Sequence, residues 1–354
     1  MPLHIYLAAG TSTSAGGQSA LKAACEYLCL VDAHVVITIP RSRLIVSLPS
    51  GPTYVQVSRL RALILELLGP ACDVDYYIGF ADRVPILRNS FSKILVVQNS
   101  LLYRPSKVDG NWQLRIQLQL QRVWARQSLK KADRIVVLTN SSASEIRTLA
   151  GVNPNRIAVR PIPPQDLPTV TRVERDEIQN IVLIGDIRPY KRFAWAIHEI
   201  NSWGREERGI RVTHIGGSDD RFGRTLVTDC LRNVSNCEVT FLGRISHAET
   251  MILLSKADVF IFPSAIESFG IPLVEAMSLG VPSICSDIPQ FHDVGGDAPI
   301  YVSDKLGAIV EALETLRPVG ERVRRSRLGL CSQNGNAAAW DVTGGLIAQT
   351  PSGG

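Results

Sequence analysis

The 354-residue sequence contains no apolar run approaching the roughly 20 residues needed to span a bilayer as a helix. It opens on MPLHIYLAAG, which lacks a charged leader segment and is followed at once by polar residues. That start reads as a first strand rather than a secretion signal, and a cytoplasmic location is expected. Cysteines are few and scattered, at 25, 29, 72, 230, 237, 285 and 331. No CxxC occurs and no His sits at zinc-ligand spacing to a Cys pair, so they read as reduced, mostly buried small hydrophobes. The segment LAAGTSTSAGG after the first strand is not a G-x-G-x-x-G dinucleotide fingerprint, which argues against a nucleotide-sugar epimerase or dehydrogenase. The acidic pairs Asp73/Asp75 and Asp219/Asp220 lack supporting context and read as surface charges. No nucleic-acid-binding motif accompanies the basic residues, and nucleic acid is not an expected partner.

What is present is an ordinary globular composition, 45% apolar and 20% charged, in a chain long enough for two cores. Strand-like and helix-like segments alternate throughout, which argues for α/β layers with parallel sheets. HIYLAA (4–9), HVVITIP (34–40), DYYIGF (75–80), KILVVQN (93–99) and RIVVLTN (134–140) are the strand candidates of the first half. A long basic helix is expected from Trp112 to Lys131, and Ser141 or Ser142 is a candidate cap for the next one. Prolines at 161, 163, 164 and 168 interrupt the alternation and mark a domain boundary. The pattern then restarts with NIVLIGD (180–186), VTHIGG (212–217), CEVTFLG (237–243), ADVFIFPS (257–264) and VPSICSD (281–287). A last helix is expected over 335–349, weakened by Gly344 and Gly345. The expected division is a first domain over 1–165, a second over 166–325, and a tail over 326–354.

The formal charge of +5 conceals an asymmetry: residues 1–165 carry 19 basic against 9 acidic residues, and the remainder is net acidic. Arg115, Arg122, Arg126, Lys130 and Lys131 gather on the long helix candidate. An anionic partner or peripheral contact with the inner face of a membrane is one reading of that charge, and an ordinary solvated helix face is the other.

The densest chemical signal is PSAIESFGIPLVEAMSLGVPSICSD, residues 263–287. A strand ends at Pro263-Ser264, a loop holds Glu267, Ser268, Phe269 and Gly270, and a helix follows with Pro272 in its first turn. Unpaired N–H groups at such a helix start can hold an anion, and a carboxylate among them can accept hydrogen bonds from sugar hydroxyls. Gly270 would allow close backbone approach to a ligand.

The string resembles the E-x7-E segment of the family-4 retaining glycosyltransferases, with Glu267 and Glu275 as its glutamates; Ser268 and Ser278 replace the commoner Gly and Ala. IVLIGDIRPYKR (181–192) resembles the same family's strand–loop in which a Lys grips the donor diphosphate, and Lys191 falls at that spacing from Gly185. The Arg usual directly after that Gly is Asp186 here, and Arg188 is the candidate to replace its charge. VTFLGRISHAETMILLSKADVFIFPS (239–264) resembles the stretch whose backbone, near Arg244 and Ile245, lies beside the nucleotide base. DAPIYV (297–302), the segment 132–163 and Trp340 in the tail extend the likeness.

The resemblance implies a GT-B architecture, two Rossmann-like α/β domains facing each other across a cleft, the first binding the acceptor and the second the nucleotide sugar, with the tail a helix crossing back to the first. It implies a metal-independent retaining hexosyltransferase with no cofactor, acting in bacterial-type cell-surface polysaccharide or glycolipid synthesis; the acceptor is read as lipid-linked or, from the basic first half, anionic. Glu267 and Lys191 are the catalytic candidates. Arg188, Ile245, Ser268, Phe269, Gly270, Glu275, Gly16 and Gly17 are the donor-binding ones. The family's sugar-side His is replaced by VVQNSLL, where Asn99 is the candidate on the sugar or acceptor side. A non-catalytic nucleotide-sugar-binding subunit is the alternative that Asp186 and the missing His leave open.

Overall fold

The computed structural model describes residues 2–11, 15–41, 47–80, 82–87, 90–99, 102–103, 112–164, 167–168, 175–204, 209–218, 221–333 and 340–347, with backbone alone at 15–16, 112–118 and 221–222. The chain forms two compact units, Met1–Pro163 with Ala338–Gly354, and Pro164–Ala337.

The first unit is built on a seven-stranded sheet of β1 (Leu3–Ala8), β2 (Ala33–Pro40), β3 (Thr53–Val57), β4 (Tyr76–Gly79), β5 (Ser92–Val96), β6 (Arg134–Val137) and β7 (Ile157–Val159). Every pairing is parallel, and the spatial order is β3-β2-β1-β4-β5-β6-β7. Its helices are α1 (Ala15–Leu28), α2 (Arg59–Leu68), α3 (Trp112–Lys131) and α4 (Asn140–Ala150). A parallel strand covered on both faces reads as an unbroken apolar run, and Ile5, Tyr6, Leu7 and Ala8 of β1 are all buried. β3 and α2 do not stand out in the sequence, because TYVQV is an edge strand with only Val57 buried. The cap of α4 is Thr139, whose hydroxyl accepts from the Ser142 N–H at 3.1 Å, rather than either serine.

The second unit holds a six-stranded parallel sheet of β8 (Asn180–Ile184), β9 (Arg211–Ile215), β10 (Glu238–Phe241), β11 (Val259–Phe262), β12 (Ser283–Ser286) and β13 (Ile300–Val302), in the order β10-β9-β8-β11-β12-β13. Its helices are α5 (Phe193–Trp203), α6 (Arg221–Asn233), α7 (His247–Ser255), α8 (Ile271–Ser278), α9 (Pro289–Gly295), α10 (Ala308–Leu316) and α11 (Val319–Gln333). Strand periodicity sends Ile181, Leu183, Val259 and Ile261 into one apolar layer with α5 and α10. Val182, Phe260 and Phe262 enter the opposite layer with α7, α8 and α9.

The segment 340–347 is a run of turns and not the expected helix, as far as the described residues reach. Gly344 and Gly345 take φ of +65° and +85°, left-handed values that a right-handed helix cannot contain. A side chain at 344 would meet the Ala158 Cβ at 2.9 Å, so the turn is pressed against the first sheet. Trp340 is buried in the first unit, donates from its indole N–H to the Arg160 carbonyl at 2.8 Å, and packs edge-on against Phe80. Arg134 donates to the Gly344 carbonyl at 2.7 Å, and the Tyr27 hydroxyl to that of Ile347 at 2.9 Å. No helix of the described residues is long and apolar enough to cross a membrane.

Candidate active site

In an open parallel sheet the ligand crevice lies outside the carboxyl ends of the strands, where the strand order reverses. In the second unit the reversal falls between β8 and β11. The loop after β8 carries Lys191 at the end of a single 3-10 turn, Pro189–Lys191. The loop after β11 carries Glu267, and the two loops are tied by the Ala265 N–H donating to the Tyr190 carbonyl at 2.8 Å. The Lys191 ammonium donates to the Glu267 carboxylate, and each side chain is 15% exposed. The ammonium also stands 5.2 Å from the ring centre of Phe262 and 5.7 Å from that of Tyr190. Burial alone would lower the Lys191 pKa. The charge of Glu267, with Tyr190, the hydrogen bond to Glu267 and the charge of Asp186, outweighs that effect and raises it, so the lysine is a cation across the physiological range.

Glu275 is the fifth residue of α8 and is buried. Its carboxylate meets the His247 Nε2 at 2.7 Å. His247 opens α7, behind a capping box in which Ser246 and Glu249 bond each other's backbone N–H. The pairing fixes Glu275 at the base of the same edge; sequence reading missed His247, although the S-x-x-E box that places it is legible in SHAE.

Gly270 is the N-cap of α8 at φ +98°, without a side-chain cap bond, and Pro272 occupies the first turn. A Cβ at 270 would sit 2.8 Å from the Phe291 ring, so both conformation and space require glycine. Phe269 is buried, which leaves its backbone as the part available to a ligand. Ser268 is half-buried, and Ile245 packs partly buried against the α7–α9 layer. Arg188 is exposed, and the side chain that pairs with the Asp186 carboxylate is Arg244, at 2.8 Å.

In the first unit the strand order reverses between β1 and β4. Thr11, after β1, donates to Glu66 of α2 at 2.7 Å, and Arg83, after β4, pairs with Glu66 at 3.1 Å. The buried Asp82, at φ +61°, accepts from the N–H groups of Gln98 and Asn99 at 2.8 and 3.2 Å. Asn99 is thus positioned by a residue that the sequence reading passed over. Gly16 and Gly17 lie in the first turn of α1. On α3, Arg126, Lys130 and Lys131 are exposed and Arg122 is half-buried; the side chain of Arg115 lies outside the described residues, as do Asp219 and Asp220. Among the described residues no three His, Cys, Asp or Glu side chains gather as metal ligands.

The sequence profile of the family described as "Glycosyl transferases group 1" matches residues 178–317, the span that holds this edge. The chain is similar to the O-antigen chain mannosyltransferase RfbU of Salmonella typhimurium, with 27% identity over 282 residues, 76% of this chain and 72% of that one. Other curated relatives are matched over about half their length or less. The structure is similar to that of WaaG, a glycosyltransferase involved in lipopolysaccharide biosynthesis, with a TM-score of 0.71 at 15% identity over 95% of this chain and 96% of that one. It is also similar to Anabaena Alr3699/HepE in complex with UDP-glucose, with a TM-score of 0.69 at 10% identity over 96% of each chain. At such identities the likeness is one of fold. Residues 178–317 match the group 1 glycosyltransferase profile, and the chain has the GT-B fold of those structures.

Proposed function

We propose that the chain transfers a sugar from a nucleotide-sugar donor to a hydroxyl acceptor with retention of anomeric configuration, in the assembly of a cell-surface polysaccharide or glycolipid. The observation that carries the reading is the meeting of Lys191 and Glu267 at the strand-order reversal of the second sheet. The names of the relatives, an O-antigen mannosyltransferase and a lipopolysaccharide glycosyltransferase, support the product class. A fold relative that holds UDP-glucose supports the donor class.

In this reading the donor diphosphate lies at Lys191 and the start of α8. As the bond from the anomeric carbon to the diphosphate oxygen breaks, negative charge grows on the leaving group. A fixed ammonium and the backbone dipoles at the turn into α8 would stabilise that charge without reorganising. Lys191 would exchange part of its contact with Glu267 for the phosphate, and Glu267 would turn to the sugar hydroxyls. Glu275 would accept from the ribose hydroxyls. The acceptor hydroxyl would form the new bond to the anomeric carbon on the face the diphosphate leaves, its proton passing to the leaving phosphate oxygen, and Asn99 is the sugar- or acceptor-side candidate. These steps are carried by side chains and backbone and route nothing through a metal.

The test is nucleotide release from UDP-, GDP- and dTDP-sugars by the purified protein, with the product's anomeric configuration read by NMR. Release by wild type and its loss in Glu267→Ala support the reading. Saturable donor binding without any release would instead make the chain a binding subunit, and an inverted product would remove the retaining assignment.

A further inference from the structure

Helix α2 carries its apolar residues on the side away from the core. A helix packed on a sheet ordinarily buries an apolar stripe and turns its polar face outward. In α2 the buried side chains are Ala62 and Glu66. Leu60, Ile64, Leu67 and Leu68 share the opposite face by helical spacing and are exposed, Leu60 at 69%. The one carboxylate of the helix is the inward one, to which Thr11 donates at 2.7 Å and with which Arg83 pairs at 3.1 Å. Arg59 and Arg61, in the first turn, are exposed.

Arg83 ties α2 to α3, because its guanidinium also stands 5.0 Å over the Trp124 ring. The segment 83–87 runs between the two helices. The Val84 N–H donates to the Ser128 hydroxyl of α3 at 3.1 Å, and the Ile86 N–H to the Leu67 carbonyl of α2 at 3.3 Å. Leu87, next in the chain, is 73% exposed. On α3, Ala125, Ser128 and Leu129 are buried. Its outward side carries Leu120 and Val123, then Arg126, Lys130 and Lys131, all exposed. The helix contains no Asp or Glu.

An exposed leucine by itself is ordinary. Among the described residues fifteen large apolar side chains are exposed, and seven of them belong to this layer: four on α2, two on α3, and Leu87. Such a concentration marks an interaction surface. Its charge is of one sign, since neither helix turns a carboxylate outward among the described residues.

We propose that the outward face of α2 and α3, with Leu87 between them, docks on an anionic lipid bilayer. The leucines would enter the boundary between headgroups and acyl chains, and the arginines and lysines would extend along it to the lipid phosphates. A second copy of the chain is a poorer occupant, because a two-fold interface sets these cations against themselves. The proposal stands on the first unit alone and goes beyond the donor reading.

Flotation of the full chain tests it, with vesicles of phosphatidylcholine containing about 30% phosphatidylglycerol beside vesicles of phosphatidylcholine alone. Wild type is expected to bind the mixed vesicles about tenfold more tightly than the neutral ones, and high salt should narrow the gap. Leu60→Gln/Ile64→Gln should weaken binding to the mixed vesicles by about tenfold or more. Lys130→Gln/Lys131→Gln should weaken it by about fivefold to tenfold at low salt, with little effect on the neutral vesicles. Leu306→Gln, at a 79% exposed position of the second unit, should bind as wild type does. Thermal midpoints matching wild type establish that the surface variants are folded. Nucleotide release from the donor in solution should be unchanged in Leu60→Gln/Ile64→Gln. Wild type that stays off the mixed vesicles at low salt overturns the proposal, as does undiminished binding by Leu60→Gln/Ile64→Gln. An equal loss in Leu306→Gln overturns it too. Self-association that Leu60→Gln/Ile64→Gln abolishes, without vesicle binding by wild type, assigns the face to a second copy instead. Wild type that binds vesicles but releases no nucleotide overturns the donor reading alone.

Discussion

The ammonium of Lys191 and the carboxylate of Glu267, 76 residues apart in sequence, are hydrogen-bonded across the point where the second sheet reverses its strand order. Each side chain is largely removed from water, and each supplies the opposite charge that the other would otherwise lack. Glu267→Ala and Lys191→Ala are each expected to reduce sugar transfer by roughly a hundredfold or more. Each should also lower the thermal midpoint, because a single change strands a half-buried charge. The double variant Lys191→Met/Glu267→Leu should regain the lost stability without the activity. Wild-type turnover in either single variant would remove the pair from the chemistry.

The contact between His247 and Glu275 leads to a prediction about the ribose. Glu275→Gln preserves volume and removes the acceptor charge, and is expected to weaken nucleotide binding by about tenfold. A nucleotide lacking both ribose hydroxyls should lose little between wild type and variant. His247→Ala should act in the same direction with a smaller effect, since it only orients the carboxylate. Equal losses for the ordinary and hydroxyl-free nucleotides would show that Glu275 does not meet the ribose.

Gly270→Ala tests the turn into α8. The φ of +98° is costly for alanine, and the new methyl would press on Phe291. A loss of about 2–3 kcal/mol in unfolding free energy is expected from chemical denaturation. A variant as stable as wild type would mean that the loop takes another path.

His214 gives the pH dependence a definite sign. It is buried on β9 between Phe193 and Phe241, with ring centres 4.5 and 5.3 Å away. Burial pushes its pKa down to about 4, against raising contributions from the Gly185 backbone and the Asp186 charge. Between the unfolded value of about 6.5 and the folded value, the unfolded chain binds the extra proton, so stability falls as pH drops through that window. The contribution is complete above about pH 6.5 and amounts to something on the order of 3 kcal/mol by pH 4. His214→Leu should flatten this part of the stability curve measured by denaturant titration at a series of pH values. An unchanged slope would show that other groups govern it.

Much of the second unit was legible in its sequence. NIVLIGD, CEVTFLG, ADVFIFPS and VPSICSD each contain the observed strand, and VTHIGG holds all of β9 but its first residue, because short β-branched and apolar runs bounded by Gly, Pro or Asp have few other stable uses. The edge strand β3 and helix α2 were not, since a strand with so little burial carries no such signature. The side-chain pairings at the edge were hidden for a different reason. Asp186 with Arg244 spans 58 residues and His247 with Glu275 spans 28, and neither can be inferred until the order of β8, β9, β10 and β11 is known. The sequence offered Arg188 as the cation to replace the missing charge; that Arg244, after another strand, pairs with Asp186 was not legible there. In the tail, Gly344 and Gly345 turn the chain within the span where a helix was expected.

The clasp of residues 340–347 on the first unit has a consequence for the timing of biogenesis. The indole of Trp340 caps a carbonyl 180 positions upstream, and the second unit occupies the interval between them. On a ribosome that releases the chain from its amino end, the first unit must wait, incompletely closed, until the whole of the second has been synthesised. The second unit is built from one continuous stretch, so all of its own residues have been made before the clasp on the first can form.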